Sequence, residues 1–284
     1  MRPLAAQIQA WRAEAGRWVA RGELSRAEEA YQAARRTAER LDDGALLIQT
    51  LNDLGSLAME RGLASQAVQW HGRAVALSEQ LGDAKLRLHS LTALGAAEHL
   101  DGRLNEAERR YREALALAQG AGDRSAAAVL QNNIGLLHQA NGDAGQAEAY
   151  FRRALELNRS LGETDAEASN HVNLGLLAEA QQQFQQAEQE YERALELDKA
   201  NERSGAIAED LLRLGRIAAL RGSPDRGTGY AERAFYAYQA LHDTPRAEGA
   251  LQQAIDYANK AGRTEEVQRL EAQRAGRIRT GSAP

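Results

Sequence analysis

The residues best suited to chemistry are few. Six histidines, at positions 71, 89, 99, 138, 171 and 242, are the acid–base and metal-ligating prospects in a 284-residue chain without cysteine. His89 and His99 stand ten residues apart on one helical stretch, about 15 Å along the axis, too far to ligate one metal ion together. His71 occupies a position where aromatic residues recur, and His138 and His171 fall on interior-facing positions, so packing accounts for all three. Adjacent acids such as Glu28 and Glu29 belong to solvated helix faces with no burial to tune a carboxyl group. HExxH, GxxxxGK, GxSxG and kinase signatures are absent, and the glycine-rich stretch 222–229 lacks the lysine of a phosphate loop. We therefore expect no catalytic residue, no metal site and no cofactor: the chain does not read as an enzyme.

What remains is surface, and the elements that build it must be found first. Formal charge is −5 and the pI near 5.8, which disfavours nucleic acid as a partner. No apolar run approaches the ~18 residues of a membrane helix, and residues 1–20 carry Arg2, Arg12, Glu14 and Arg17 where a signal peptide would be apolar. The chain reads as soluble and cytoplasmic, with no membrane insertion. Fifty-seven alanines make up almost half of the hydrophobic fraction, so large apolar residues are scarce and periodicity must decide whether the chain folds.

The period is 40. Gly22, Gly62, Gly102, Gly142, Gly222 and Gly262 share one register, with Gln182 in the single gap. Ala27, Ala67, Ala107, Ala147 and Ala187 follow five residues later, then Tyr31, His71, Tyr111, Phe151 and Tyr191, then Ala34, Ala74, Ala114, Ala154, Ala194 and Ala234. A second glycine series, Gly55, Gly95, Gly135, Gly175 and Gly215, precedes the first by seven residues. Apolar spacing of three and four, with little proline, makes the segments helices. The Gly22 series suits the left-handed residue that closes a helix. Leu81-Gly82-Asp83, Ala121-Gly122-Asp123 and Leu161-Gly162-Glu163 repeat that stop and add an acidic start to the next helix, and Ser223-Pro224 and Thr244-Pro245 read as a capping hydroxyl before a first-turn proline.

The fold class is therefore all-α, about seven antiparallel helix pairs whose stacking supplies the core that one pair lacks. We expect one solenoid domain over 1–284, with repeats at about 4–42, 43–82, 83–122, 123–162, 163–202, 203–242 and 243–280 and a disordered tail over 281–284. Repeat 1 carries Trp11 and Trp18, a possible self-association surface, with Ala15 in place of the first glycine. Repeat 6 places Gly227, Thr228 and Gly229 where a helix should run, which predicts a soft point that is either a weak helix or a hinge. Repeat 7, with Val267, Glu271 and Arg274 at packing positions, reads as a polar cap.

Gly55, Ala67, His71 and Ala74, and more closely Gly135, Ala147, Phe151 and Ala154, resemble the small-and-aromatic signature of the tetratricopeptide repeat. The family unit has 34 residues; the longer, 40-residue unit of this chain is similar to the subclass of kinesin light chains, Pins-type adaptors and Rap-like regulators. The resemblance implies a right-handed superhelical solenoid that binds a protein or peptide on a concave surface lined by the first helix of each repeat. Carried onto this sequence, the ligand-facing positions are Asn52, Asp53, Ser56 and Glu60; His89, Thr92 and His99; Asn132, Asn133, Leu136 and Gln139; Asn173, Leu176 and Glu179; and Arg213 and Arg216.

Asparagine is unfavourable inside a helix, so its recurrence at 133 and 173 invites a reason. One is that an amide can pair with both the N–H and the C=O of an extended peptide; the other is that the amides hold neighbouring helices together. Arg213 and Arg216 are expected to meet an acidic side chain or a terminal carboxylate. The expected function is a non-enzymatic scaffold binding a peptide segment of a partner. The alternative is a small-molecule or signalling-peptide sensor with a hinge near repeat 6.

Overall fold

The computed structural model describes residues 2–280, with side chains for 4–275; the tail expected over 281–284 lies outside the described residues. Fourteen helices and no strand occur among them. They are α1 (Arg2–Ala20), α2 (Leu24–Leu41), α3 (Gly44–Glu60), α4 (Ala64–Leu81), α5 (Ala84–Leu100), α6 (Leu104–Gly120) and α7 (Arg124–Ala140), then α8 (Ala144–Leu161). After them come α9 (Thr164–Ala180), α10 (Phe184–Ala200), α11 (Ser204–Leu220), α12 (Pro224–Ala240), α13 (Thr244–Lys260) and α14 (Thr264–Thr280). Two compact units meet within α8, one ending at Tyr150 and the other starting at Phe151. Inside each unit, consecutive helices pack as antiparallel pairs and each pair packs on the next.

Helices α1 to α13 all stop by the same device, and it recurs every 20 residues rather than every 40. Residues 22, 42, 62 and onward to 262 all have positive φ; nine are glycine, and Asp42, Gln182, Glu202 and His242 take the same turn at φ 53 to 60° without it. At Gly62 the amide donates to Met59 O (2.9 Å) and the Leu63 amide to Ala58 O (2.8 Å), satisfying carbonyls that the helix end leaves open. At the other end, Asp43, Asp83, Asp123 and Asp243 each accept from the amide three residues on, at 2.9 to 3.1 Å. Two expected hydroxyl caps are not made. Ser223 precedes Pro224 but makes no side-chain cap bond, and Thr244 lies one residue inside a helix that Asp243 caps.

The core follows from small residues meeting rings. Ala27, Ala67, Ala107, Ala34, Ala74 and Ala114 have no exposed surface, nor do Ala187, Ala194 and Ala234. In repeats 2, 3 and 5 the Gly55-type glycine faces the ring of the next helix: a Cβ at Gly55 would lie 2.4 Å from His71 Nε2, at Gly95 2.7 Å from Tyr111 Cε1, and at Gly175 2.5 Å from Tyr191 Cε1. Repeat 6 departs from this. Its ring position is Ala231, and the two helices approach backbone to backbone, so that a Cβ at Gly227 would meet Gly215 O at 3.0 Å and the Tyr257 ring at 3.2 Å. Here α12 runs unbroken through Gly227, Thr228 and Gly229, so the expected soft point is a close helix contact topped by an aromatic residue from α13. In the last pair, Val267 and Leu270 are buried, while Glu271 and Arg274 face solvent.

Candidate functional site

The odd-numbered helices are the first of each pair, and they carry every residue expected to face a ligand. In the first unit, Asn52 is turned inward. It is 3% exposed, its Nδ2 donates to Ser90 Oγ at 2.8 Å, and its Oδ1 accepts from His71 Nδ1 at 3.0 Å. His71 offers a ring nitrogen where Tyr111 and Tyr191 offer carbon, and the Asn52 amide meets it; this amide links helices and is not presented to a ligand. Burial pushes the His71 pKa down to about 4, so the ring is neutral at physiological pH. Asp53 is engaged by Arg12, whose Nε lies 2.5 Å from Oδ2. Asn132, Asn133 and Gln139 are half-buried along α7, and His99 is half-buried near the end of α5, its pKa lowered by burial.

His89 is exposed, and Thr92 donates its hydroxyl to Leu88 O at 2.9 Å. Both line a cleft of about 280 Å3 between α5 and α7, together with Lys85, Leu88, Asp123, Ala126, Val129 and Leu130. Val129 keeps 48% of its surface exposed there, so the wall of this cleft is apolar and its ends are charged.

The second unit has a cleft of about 250 Å3 in the same register, eighty residues on, between α9 and α11. Ala168, Ser169 and Val172 stand for Leu88, His89 and Thr92, and Arg203, Ala206, Glu209 and Asp210 for Asp123, Ala126, Val129 and Leu130. Asn173, Asp198 and Arg213 complete its wall. The apolar pocket of the first unit is thus an acidic one in the second.

Arg213 and Arg216 are not loose cations. Arg213 donates to Asp210 Oδ1 at 2.8 Å and to Glu209 Oε2 at 3.3 Å, and Arg216 donates to Glu179 Oε2 at 2.7 Å. The same Glu179 oxygen accepts from the Tyr191 hydroxyl at 2.9 Å. The carboxylates that these arginines meet in the structure are the chain's own. Trp18, expected to serve self-association, has Arg21 and Arg26 over its ring at 5.2 and 4.9 Å.

Sequence reasoning passed over Asp198 and Asp210. They are 3% and 0% exposed, and burial pushes Asp210 up to about 7 against the pull of Arg213; Asp198 is raised by burial too, against Arg203. The same two registers one repeat earlier hold Asn158 and Asn170, whose amides bond at 2.6 Å, and in repeats 2 and 3 Ser78 and Ser90, both buried. A polar residue at two interior registers twelve apart was the available signal. Among the described residues no group of three or more histidine, aspartate or glutamate side chains is placed to hold a metal ion. Nor is any helix there long and apolar enough to cross a membrane.

Comparison with known proteins agrees with this geometry. The tetratricopeptide repeat profile matches residues 47–120 and 125–200. No curated protein matches the chain. Among solved structures, BtubC from P. vanneervenii is similar with a TM-score of 0.65 at 22% identity, covering 84% of this chain and 92% of that one. The apo form of RapI aligns with a TM-score of 0.70 at 14% identity over 94% of this chain and 97% of its own. A signal-transduction ATPase from Pyrococcus horikoshii with a tetratricopeptide repeat sensor has a TM-score of 0.77 at 14% identity over 94% of this chain, which spans 41% of that protein.

Proposed function

The chain belongs to the tetratricopeptide repeat family, and on that premise we propose that it is a non-enzymatic scaffold, working in the cytoplasm without nucleic acid, that takes a peptide segment of a partner protein on its first-helix face. One observation carries this reading: each unit opens a cleft between consecutive first helices at the same register, one walled by His89, Thr92 and Val129, the other by Asn173, Arg213 and Asp210. Each opening can take a side chain of a ligand chain, and half-buried amides on first helices, such as Asn133 and Asn173, suit its peptide groups. A Rap protein with 12% identity to this chain has been solved complexed with Competence and Sporulation Factor, which supports a binding role for this arrangement of helices.

The test is selection of peptides from a displayed random library on the full chain. Selected peptides should lose binding to Val129→Arg, which blocks the first cleft from an exposed position, and to the Asn133→Ala, Asn173→Ala double variant. Binding should survive Arg109→Ala on the exposed side of α6. Peptides that bind all four proteins equally would move the binding surface elsewhere.

A further inference from the structure

The turns between helices share one left-handed residue, and the residue before it ends the preceding helix. That position holds aspartate or asparagine at three places, Asp101, Asn141 and Asn201. Two of the three are tied down. Asp101 accepts from Ser65 Oγ on Oδ1 at 2.5 Å, and its Oδ2 lies 2.6 Å from Arg103 Nε. Asn201 donates through Nδ2 to Thr164 Oγ1 at 2.9 Å and to Asp165 Oδ1 at 2.7 Å. Asn141 is exposed, and its carboxamide has no hydrogen-bond partner among the described residues.

The following residue differs as well. Asn201 precedes Glu202, which takes the turn at φ 55°, whereas Asn141 precedes Gly142 in the only Asn-Gly pair of the chain. Nothing lies within 4 Å of where a Cβ at Gly142 would stand. A glycine has no side chain to shield its backbone nitrogen from the carboxamide before it. One hydrogen bond holds that nitrogen, Gly142 N–H to Gln139 O at 3.0 Å, at an exposed helix end where local opening costs little.

We infer that Asn141 is a site of spontaneous deamidation, with water as the co-reactant, and that the conversion lengthens the turn between α7 and α8. When the turn opens, the Gly142 nitrogen attacks Asn141 Cγ. The new N–C bond closes an imide ring, the Cγ–Nδ2 bond breaks, and ammonia leaves with the proton that the Gly142 nitrogen gave up. Water then opens the ring at either carbonyl, and nothing is oxidised or reduced. Cleavage of the bond to Cγ gives aspartate. Cleavage of the bond to the backbone carbonyl carbon leaves the chain running through Cβ and Cγ, as isoaspartate. Either product adds a negative charge to a turn that already holds Asp143. Aspartate reproduces the Asp101-Gly102 turn two helices earlier and keeps its geometry. Isoaspartate puts one more carbon in the main chain and draws apart the bonds that close α7, Gly142 N to Gln139 O and Asp143 N to His138 O at 2.8 Å. This chemistry needs neither the first-helix face nor a ligand.

The experiment is incubation of the full folded chain at pH 8, below its unfolding temperature, followed by peptide mass spectrometry and by anion exchange of the intact protein. The peptide containing Asn141 should gain one dalton several-fold faster than the peptide containing Asn201, and should split into two products on chromatography. Equal rates at the two asparagines overturn the inference. Asn141→Gln should remove the first acidic species from anion exchange, and it should fold, because Gln181 occupies the same register one repeat later. The same acidic species at an unchanged rate in that variant also overturns it. For the backbone, hydrogen exchange at Gly142 and Asp143 should be faster in the isoaspartyl fraction than in Asn141→Asp, which carries the same charge on a normal chain. Equal exchange in the two overturns the lengthened turn.

Discussion

At the residue scale, two buried titratable groups should pull stability in opposite directions as pH changes. His71 has a folded-state pKa of about 4 against 6.5 in an open chain, so protons favour the unfolded state between those values. Its contribution is complete above pH 6.5 and is lost as pH falls towards 4, a change on the order of 3 kcal/mol. Urea unfolding from pH 7 to pH 4.5 should therefore show a steeper loss for the parent than for His71→Tyr, which restores the ring found at Tyr31, Tyr111 and Tyr191. Asp210 behaves in the reverse sense. Raised from 3.8 to about 7, it favours the folded state in acid, and that stability is gone once pH has risen through 7. Asp210→Asn should stabilise the chain at pH 8 by about 1–2 kcal/mol, because a buried charge is removed, an amide in its place can donate to Asp198, and Arg213 keeps Glu209 as a partner. Equal urea midpoints for the two proteins at pH 8 would contradict this.

At the scale of the helix, glycine and non-glycine positions can be separated by what surrounds them. Gln182 closes α9 at φ 60°, a conformation that costs an L-residue about 1 kcal/mol, and Gln182→Gly should recover that amount in thermal unfolding. Gly227 and Gly229 lie two residues apart on α12 and should respond with opposite signs. Gly227 has Gly215 O only 3.0 Å from where its Cβ would stand, so Gly227→Ala should cost about 1–3 kcal/mol. Nothing lies within 4 Å of a Cβ at Gly229, and Gly229→Ala should stabilise by roughly 0.5–1 kcal/mol. A matched pair of urea curves decides it, and stabilisation by both substitutions would mean that α11 and α12 do not touch at these glycines.

At the scale of the whole molecule, contacts join each helix to its near neighbours in sequence, so disturbance should spread only a short way. Ala107 on α6 has no exposed surface, and α6 packs on both α5 and α7. Ala107→Leu should overpack that layer by about 1–3 kcal/mol. Hydrogen exchange should then lose protection in α5, α6 and α7 while α11, α12 and α13 keep theirs, as expected of a quasi-one-dimensional stack. A uniform loss along the chain would show cooperativity that nearest-neighbour packing does not supply.

The 40-residue period by itself determined the helices, their number and order, the glycine turns between them, and the small and aromatic positions that pack. Each depends on local backbone preference or on a pattern copied from repeat to repeat, and Gln182 in the gap of the Gly22 series shows that the register outlasts the loss of its preferred residue. The period could also name which side chains sit on first helices, such as His89, Thr92, Asn173 and Arg213. It could not say what those side chains meet. Asn52 and Asn132 share a register, yet Asn52 turns inward because His71 offers it a nitrogen, while Asn132 is half-buried. Arg216 and Glu179 are 37 residues apart and Asp198 and Asp210 are twelve apart, distances at which sequence carries no record of contact. Only the stacking of one helix pair on the next brings these groups together, and burial in that contact, with the desolvation it imposes, turns ordinary surface residues into ion pairs, neutral imidazoles and carboxyl groups that resist ionisation.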